Sequence, residues 1–145
     1  MKKSISSVLI LAVAAILFSN SAVAQKSAFQ MTITPAPMEC ELSVCDYVPF
    51  TRITISTEDE SAIKWANKHL ALWYKKAAPK VSRKSYVGNF THDSAYSINI
   101  EKSGVEICAK NINGVRYALY SLRQIAIANR DTKELTHYIV PVGSI

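Results

Sequence analysis

The residues able to do chemistry are few and scattered. Adjacent carboxylates at Asp59 and Glu60 could act as a proton donor and its orienting partner. Their setting points elsewhere. They follow Thr57 and open an apolar-periodic run, where acidic residues suit the positive end of a helix dipole. Three cysteines (Cys40, Cys45, Cys108) and three histidines (His69, His92, His137) complete the set. The cysteine spacing fits no zinc motif and the histidines lie far apart, so no metal and no cofactor is expected. No Ser-His-Asp or Cys-His spacing suggests an activated nucleophile. An odd cysteine count leaves at least one thiol without a partner in its own chain. On a strand over Met38 to Val44, Cys40 and Cys45 point to opposite faces, and joining them would need a turn near Ser43. Three ordinary small residues is the preferred reading. Cys108 has the opposite parity from Val105, Ile107 and Ala109, which places it on the less buried face of its strand.

Residues 1–24 read as a secretory signal. Lys2 and Lys3 form the basic start, Val8 to Phe18 the apolar stretch, and Ala22-Val23-Ala24 the cleavage site. The apolar stretch falls short of the ~20 residues a membrane-spanning helix needs. The chain is therefore expected to be exported, periplasmic or extracellular, without stable membrane insertion after cleavage. Residues 25–145 suffice for one domain with one core. The formal net charge of the full chain is +6, and part of that excess leaves with Lys2 and Lys3. The densest basic group (Lys75, Lys76, Lys80, Arg83, Lys84) lacks groove-reading context and reads as a solvated helix end, so no nucleic-acid partner is expected.

The elements that must position these residues follow from periodicity. Met38 to Val44 alternates as a half-buried strand, and Thr51 to Ser56 is a second, β-branched run. Thr57 with Glu60 three residues on predicts a capping box and a first helix, stopped by Pro79 after Lys75 and Lys76. Its broad apolar stripe comprises Ala62, Ile63, Ala66, Leu70, Trp73, Tyr74 and Ala77, with Trp65 and Leu72 on a different side. Pro79 to Ser94 is polar and is expected to be irregular, with a glycosylation sequon at Asn89-Phe90-Thr91. Tyr96 to Ile100 and Val105 to Ala109 form a hairpin around Lys102-Ser103-Gly104. Asn113 is the expected cap of a second helix, Gly114 to about Asn129. That helix buries Val115, Ala118, Leu119, Leu122, Ile125 and Ala126, and carries Tyr120 and Ile127 on another side beside Arg116 and Arg123. Leu135 to Val142 is the last strand. A hairpin rules out an all-parallel sheet, so the fold class is α+β: a mixed, mainly antiparallel sheet with two helices on one face.

The stretch GVRYALYSLRQI, Gly114 to Ile125, resembles the helix "G-x-x-Y-A-L-x-T-L-R-Q-L" that closes the N-terminal domain of family 20 glycoside hydrolases, the β-N-acetylhexosaminidases. Ser121 stands where threonine is commoner. The order of motifs from Tyr96 onward and the ITPAP opening after Met31 extend the resemblance over most of Met31 to Val142. Related domains precede other sugar-cleaving barrels, such as α-glucuronidases and O-GlcNAc hydrolases. The resemblance implies a sheet carrying two helices, followed in full-length relatives by a catalytic (β/α)8 barrel. In those enzymes an Asp-Glu pair works with the substrate's own acetamido group. Asp59-Glu60 lacks the family's His-x-Gly-Gly lead-in, so no catalytic residue is assigned here. A barrel needs about 250 residues, so residues 25–145 are expected to be the non-catalytic N-terminal domain as a truncated chain, inactive by itself.

Both helices carry more apolar surface than one sheet covers. Trp65 and Leu72 on the first and Tyr120 and Ile127 on the second, flanked by Arg116 and Arg123, are expected to form a face that docks on the barrel or self-associates. An autonomous periplasmic carbohydrate- or protein-binding module is the alternative, and a small enzyme in its own right a third. The stripe assignment yields one prediction. Leu122→Ala should destabilise the domain by about 2–5 kcal/mol; a loss below ~0.5 kcal/mol in two-state denaturation would show that the helix faces another way.

Overall fold

A computed structural model describes residues 39–129 and 137–145. The signal, the Met31 to Pro37 opening, Met38 and the start of the predicted last strand lie outside the described residues. The elements run β1 (Glu41–Pro49), β2 (Arg52–Ser56), α1 (Glu60–Tyr74), a single 3₁₀ turn (Lys75–Ala77), β3 (Lys80–Lys84), β4 (Tyr96–Glu101), β5 (Gly104–Ala109), α2 (Ile112–Ile125), β6 (Ile127–Asn129) and β7 (His137–Ser144). All strands join one mixed sheet, in the order β1-β7-β4-β5-β2-β3, with β6 paired to β7 beside that path. β2 is parallel to both β3 and β5; the remaining pairs are antiparallel.

The expected α+β layering is present. Ile53 and Ile55 of β2, Ile98 and Ile100 of β4, and Val105 and Ile107 of β5 point to one side and are buried. Ala62, Ala66, Leu70 and Tyr74 of α1 and Val115, Ala118, Leu119, Leu122 and Ile125 of α2 close over them. Alternation on three strands and a 3.6-residue stripe on two helices thus meet in one core. Cys108 lies on the outer, half-exposed side of β5, and Cys40 and Cys45 are exposed; all three are free thiols.

Four local expectations need correction. The cap of α1 is Asp59, whose side chain accepts from Ser61 N. Thr57 is instead buried, donating its hydroxyl to Lys110 O. The cap of α2 is Asn111, accepting from Asn113 N and Gly114 N, so Asn113 already lies in the first turn. Residues 80–84, expected to be irregular, form the edge strand β3 in parallel register with β2. Its single partly buried apolar residue, Val81, hid it, and its lysines and arginine are what a free sheet edge tolerates. Finally, α2 stops at Ile125: Ala126 turns extended and Ile127 to Asn129 pair with Ile139 to His137 of β7. Ladder pairing of a β-branched residue there outweighs helical continuation, with no Gly or Pro to announce it. In β1 the register with β7 slips between Leu42 and Tyr47, where Ser43 Oγ accepts from the Cys45 and Asp46 amides.

Gly114 shows why the second helix can sit so close to the sheet. A Cβ there would come within 2.6 Å of Ala95 O and 2.8 Å of Ala109 Cβ. Seven residues on, buried Ser121 bonds the Tyr96 hydroxyl at 2.7 Å, tying α2 to β4. Alanine is the better helix former, so helix propensity alone predicts a gain for Gly114→Ala of about 0.5–1 kcal/mol. The contacts predict the opposite, a loss of about 1–3 kcal/mol from overpacking. Thermal denaturation of the variant decides between them.

Candidate functional site

The loops leaving the parallel neighbours β2 and β5 lie side by side. Thr57 Oγ1 and Glu58 N both donate to Lys110 O, at 3.0 and 3.3 Å. Asp59 sits between the two helix starts. Its Oδ1 accepts from Ser61 N at 2.8 Å in α1, and its Oδ2 accepts from Ile112 N at 3.0 Å in α2. One carboxylate therefore caps both helices, where both dipoles present their positive ends. The Ser61 hydroxyl bond above all, joined by the backbone amides of Ile112, Ser61 and Ala62, holds the Asp59 carboxyl below its ordinary range against the opposing effect of desolvation. Glu60 is committed too, to Arg83 of β3 at 2.8 Å, and Arg83 also donates to the carbonyls of Glu58 and Thr57. Both members of the adjacent acid pair thus have structural partners.

On the outer side of the helices the aromatic residues assemble into a patch. Trp65, His69 and Trp73 recur every four residues along α1. His69 stacks on Trp65 at 3.9 Å between ring centroids, and Trp73 meets Trp65 edge-on at 6.1 Å. Tyr120 of α2 reaches both indoles, at 6.1 Å from Trp65 and 5.5 Å from Trp73. Two arginines lie over the indoles: Arg116 at 5.3 Å from the Trp65 centroid and Arg123 at 4.9 Å from that of Trp73. Such cation–π contacts are worth about 0.5–1 kcal/mol each when exposed. A shallow hollow of about 300 Å³ opens among Trp65, His69, Asn113, Arg116, Tyr117 and Tyr120.

Of the predicted face, Trp65, Arg116, Tyr120 and Arg123 come together. Leu72 and Ile127 stay outside the ring cluster. Leu72 is 63% exposed, and Ile127, 44% exposed, lies on β6 and not on the helix. Trp73, assigned to the core stripe, is half-buried and serves both layers. His69 and Asn113 were missed as members of this face, although the i, i+4, i+8 spacing of Trp65, His69 and Trp73 marks one side of a helix. At the C-terminal end of α1, Tyr74 packs edge-on between Phe50 and Tyr138. Its buried hydroxyl has no partner among the described residues, and burial pushes its pKa up to about 12 despite the nearby positive charge of Arg123. Among the described residues no group of His, Cys, Asp and Glu is placed to hold a metal ion, and no helix is long and apolar enough to cross a membrane.

No family model and no curated protein matches the chain. Solved structures do. A family 20 exo-β-N-acetylglucosaminidase of Vibrio harveyi, in complex with N-acetylglucosamine, superposes with a TM-score of 0.58 at 22% identity, covering 77% of this chain and 18% of that one. A chitobiase of Flavobacterium johnsoniae gives 0.53 at 15% identity, covering 77% and 20%. The chain spans about a fifth of the length of each. The resemblance read from Gly114 to Ile125 thus holds at the level of fold: the chain folds as one portion of these family 20 enzymes does.

The double cap gives a pH-dependent prediction. Because the folded carboxyl is held low, its contribution is present above the ordinary Asp range and is lost as pH falls through the folded value. Asp59→Ala should cost about 1–2 kcal/mol near neutral pH. Denaturant titrations should show the gap to the parent closing in acid. A gap that is independent of pH would mean the carboxylate does not cap in its charged form.

Proposed function

We propose that the chain is the non-catalytic N-terminal domain of an exported β-N-acetylhexosaminidase-like glycoside hydrolase, and that the outer face of its helix pair seats it on a (β/α)8 catalytic barrel. The shared fold and the Gly114 to Ile125 motif support the first half. The single observation that carries the second is the Trp65–Trp73–Tyr120 patch with Arg116 and Arg123 laid across it. Trp, Tyr and Arg concentrate binding energy at interfaces, and a contiguous apolar patch on a helix back marks an interaction surface. A barrel covering it would sandwich the helices between sheet and partner. Cleavage at terminal N-acetylhexosamine then belongs to the barrel, and this domain contributes support.

An autonomous periplasmic carbohydrate- or protein-binding module with the same fold is the second reading. One observation favours it: the rings cover one another, leaving Trp65 and Trp73 half-buried without a partner.

The docking reading makes a paired prediction. The purified chain releases no p-nitrophenol from an N-acetylglucosamine conjugate, self-associates in sedimentation at micromolar concentration, and co-purifies with a family 20 barrel expressed without its own N-terminal domain. Arg116→Glu together with Tyr120→Ser, both at exposed positions, should weaken that association by at least ~10-fold. A stable monomer indifferent to the barrel would favour the autonomous module, and hydrolysis by the chain alone would overturn both readings.

A further inference from the structure

The sheet face turned away from the helices carries a second hollow, of about 390 Å³. Its floor is made of short residues. Thr54 and Ser82 are register partners on β2 and β3 with their hydroxyls 3.1 Å apart, and Gly104, at φ 137°, leaves space beside Arg52. Longer side chains wall this floor, and the walls differ in charge. Arg52 and Lys80 are register partners on one side. Neither has an ion pair among the described residues, whereas Arg83 and Lys84 of the same edge strand are taken by Glu60 and Glu106. On the other side Glu101 accepts from Asn99 at 2.8 Å and Glu106 from Lys84 at 3.0 Å. Each carboxylate keeps lone pairs to spare, since an ionised carboxylate can accept about four hydrogen bonds.

The two walls therefore lack opposite things. Adjacent cations without a carboxylate are suited to an oxyanion. Carboxylates with unused lone pairs, flanked by Asn99 and Ser103, are suited to hydroxyl donors. A bare phosphate or sulfate satisfies the first wall and is repelled by the second. A neutral sugar does the reverse and leaves both cations unpaired. We propose that this face binds a small polyhydroxylated acid of the hexuronic type, its carboxylate at Arg52 and Lys80 and its hydroxyls at Asn99, Glu101 and Glu106. The site lies on the opposite side of the sheet from the helix pair and does not rest on the docking reading.

Amide NMR of the full chain, titrated at constant ionic strength with glucuronate, glucose or sulfate, tests it. Glucuronate is expected to move Arg52, Thr54, Ser82, Gly104 and Glu106 saturably, with a dissociation constant of about 1–10 mM. Glucose and sulfate should act at least ~10-fold more weakly. Arg52→Ala combined with Lys80→Ala should abolish the response, with the remaining amide spectrum showing that the fold is kept. Sulfate acting as strongly as glucuronate would reduce the site to an unspecific cationic patch and overturn the proposal. So would shifts that do not saturate, or that survive the double substitution.

Discussion

The carboxylate of Asp59 stands between the first turns of both helices, and the arrangement of everything outside the sheet follows from it. β2 and β5 are parallel neighbours, so the helices that follow them leave from the same end and bring two positive dipole ends together. Left alone, those ends oppose each other. A single negative charge accepting amide hydrogens from both converts the conflict into a shared anchor. Once the starts are fixed, the two helices run side by side, and Trp65 and Trp73 of one come within ring contact of Tyr120 of the other. Of the adjacent acid pair, Asp59 thus ties the two helix starts together, while Glu60 is held by Arg83 of the edge strand.

The strength of the assembly lies in its apolar layer, not in its charges. Ile53, Ile55, Ile107, Leu119 and Leu122 are fully enclosed, and each such side chain contributes about 1.5–3 kcal/mol on burial. The ion pairs Arg83–Glu60 and Lys84–Glu106 are solvent-exposed and worth ~0–1 kcal/mol apiece. Arg83 matters more as a clasp on the Thr57 to Glu60 loop, through its two carbonyl bonds, than as a charge. Among the described residues, Tyr74 with its unpartnered hydroxyl is the one place where polar satisfaction is given up.

Much of the fold was legible because burial on one face writes a clear period into the sequence. The helix stripes and the Tyr96 to Ala109 hairpin all alternate or recur as a single-sided core demands. What escaped was decided by tertiary pairing. β3 is an edge strand whose polar sequence gives no alternation, and β6 takes residues that continue the helical pattern locally. The cap residues were displaced by two positions in each case: the Thr57 hydroxyl is drawn to Lys110, leaving Asp59 to cap α1, and Asn111 accepts the amides of Asn113 and Gly114 at the start of α2. At the helix face, composition revealed Trp65, Tyr120 and the arginines. The i, i+4, i+8 spacing within α1 places His69 beside Trp65 and Trp73, but the contact of Trp73 with Tyr120 depends on α2 lying alongside, which that spacing does not announce. The Gly114 to Ile125 motif carried information on two levels: its glycine meets a backbone carbonyl, and its serine keeps the hydroxyl that Tyr96 needs.

The chain contains two tryptophans, Trp65 and Trp73, and both belong to the helix face. Fluorotryptophan labelling therefore gives a fluorine spectrum that reports on that face alone, even beside an unlabelled partner rich in tryptophan. The central claim, that the aromatic and arginine side chains of the helix pair are covered by a catalytic barrel, predicts that both resonances shift when a family 20 barrel is added in trans. Their accessibility to a soluble quencher of relaxation should fall in parallel. Two resonances that stay unmoved and equally accessible at saturating barrel would contradict the claim, because nothing could then be seated on that face.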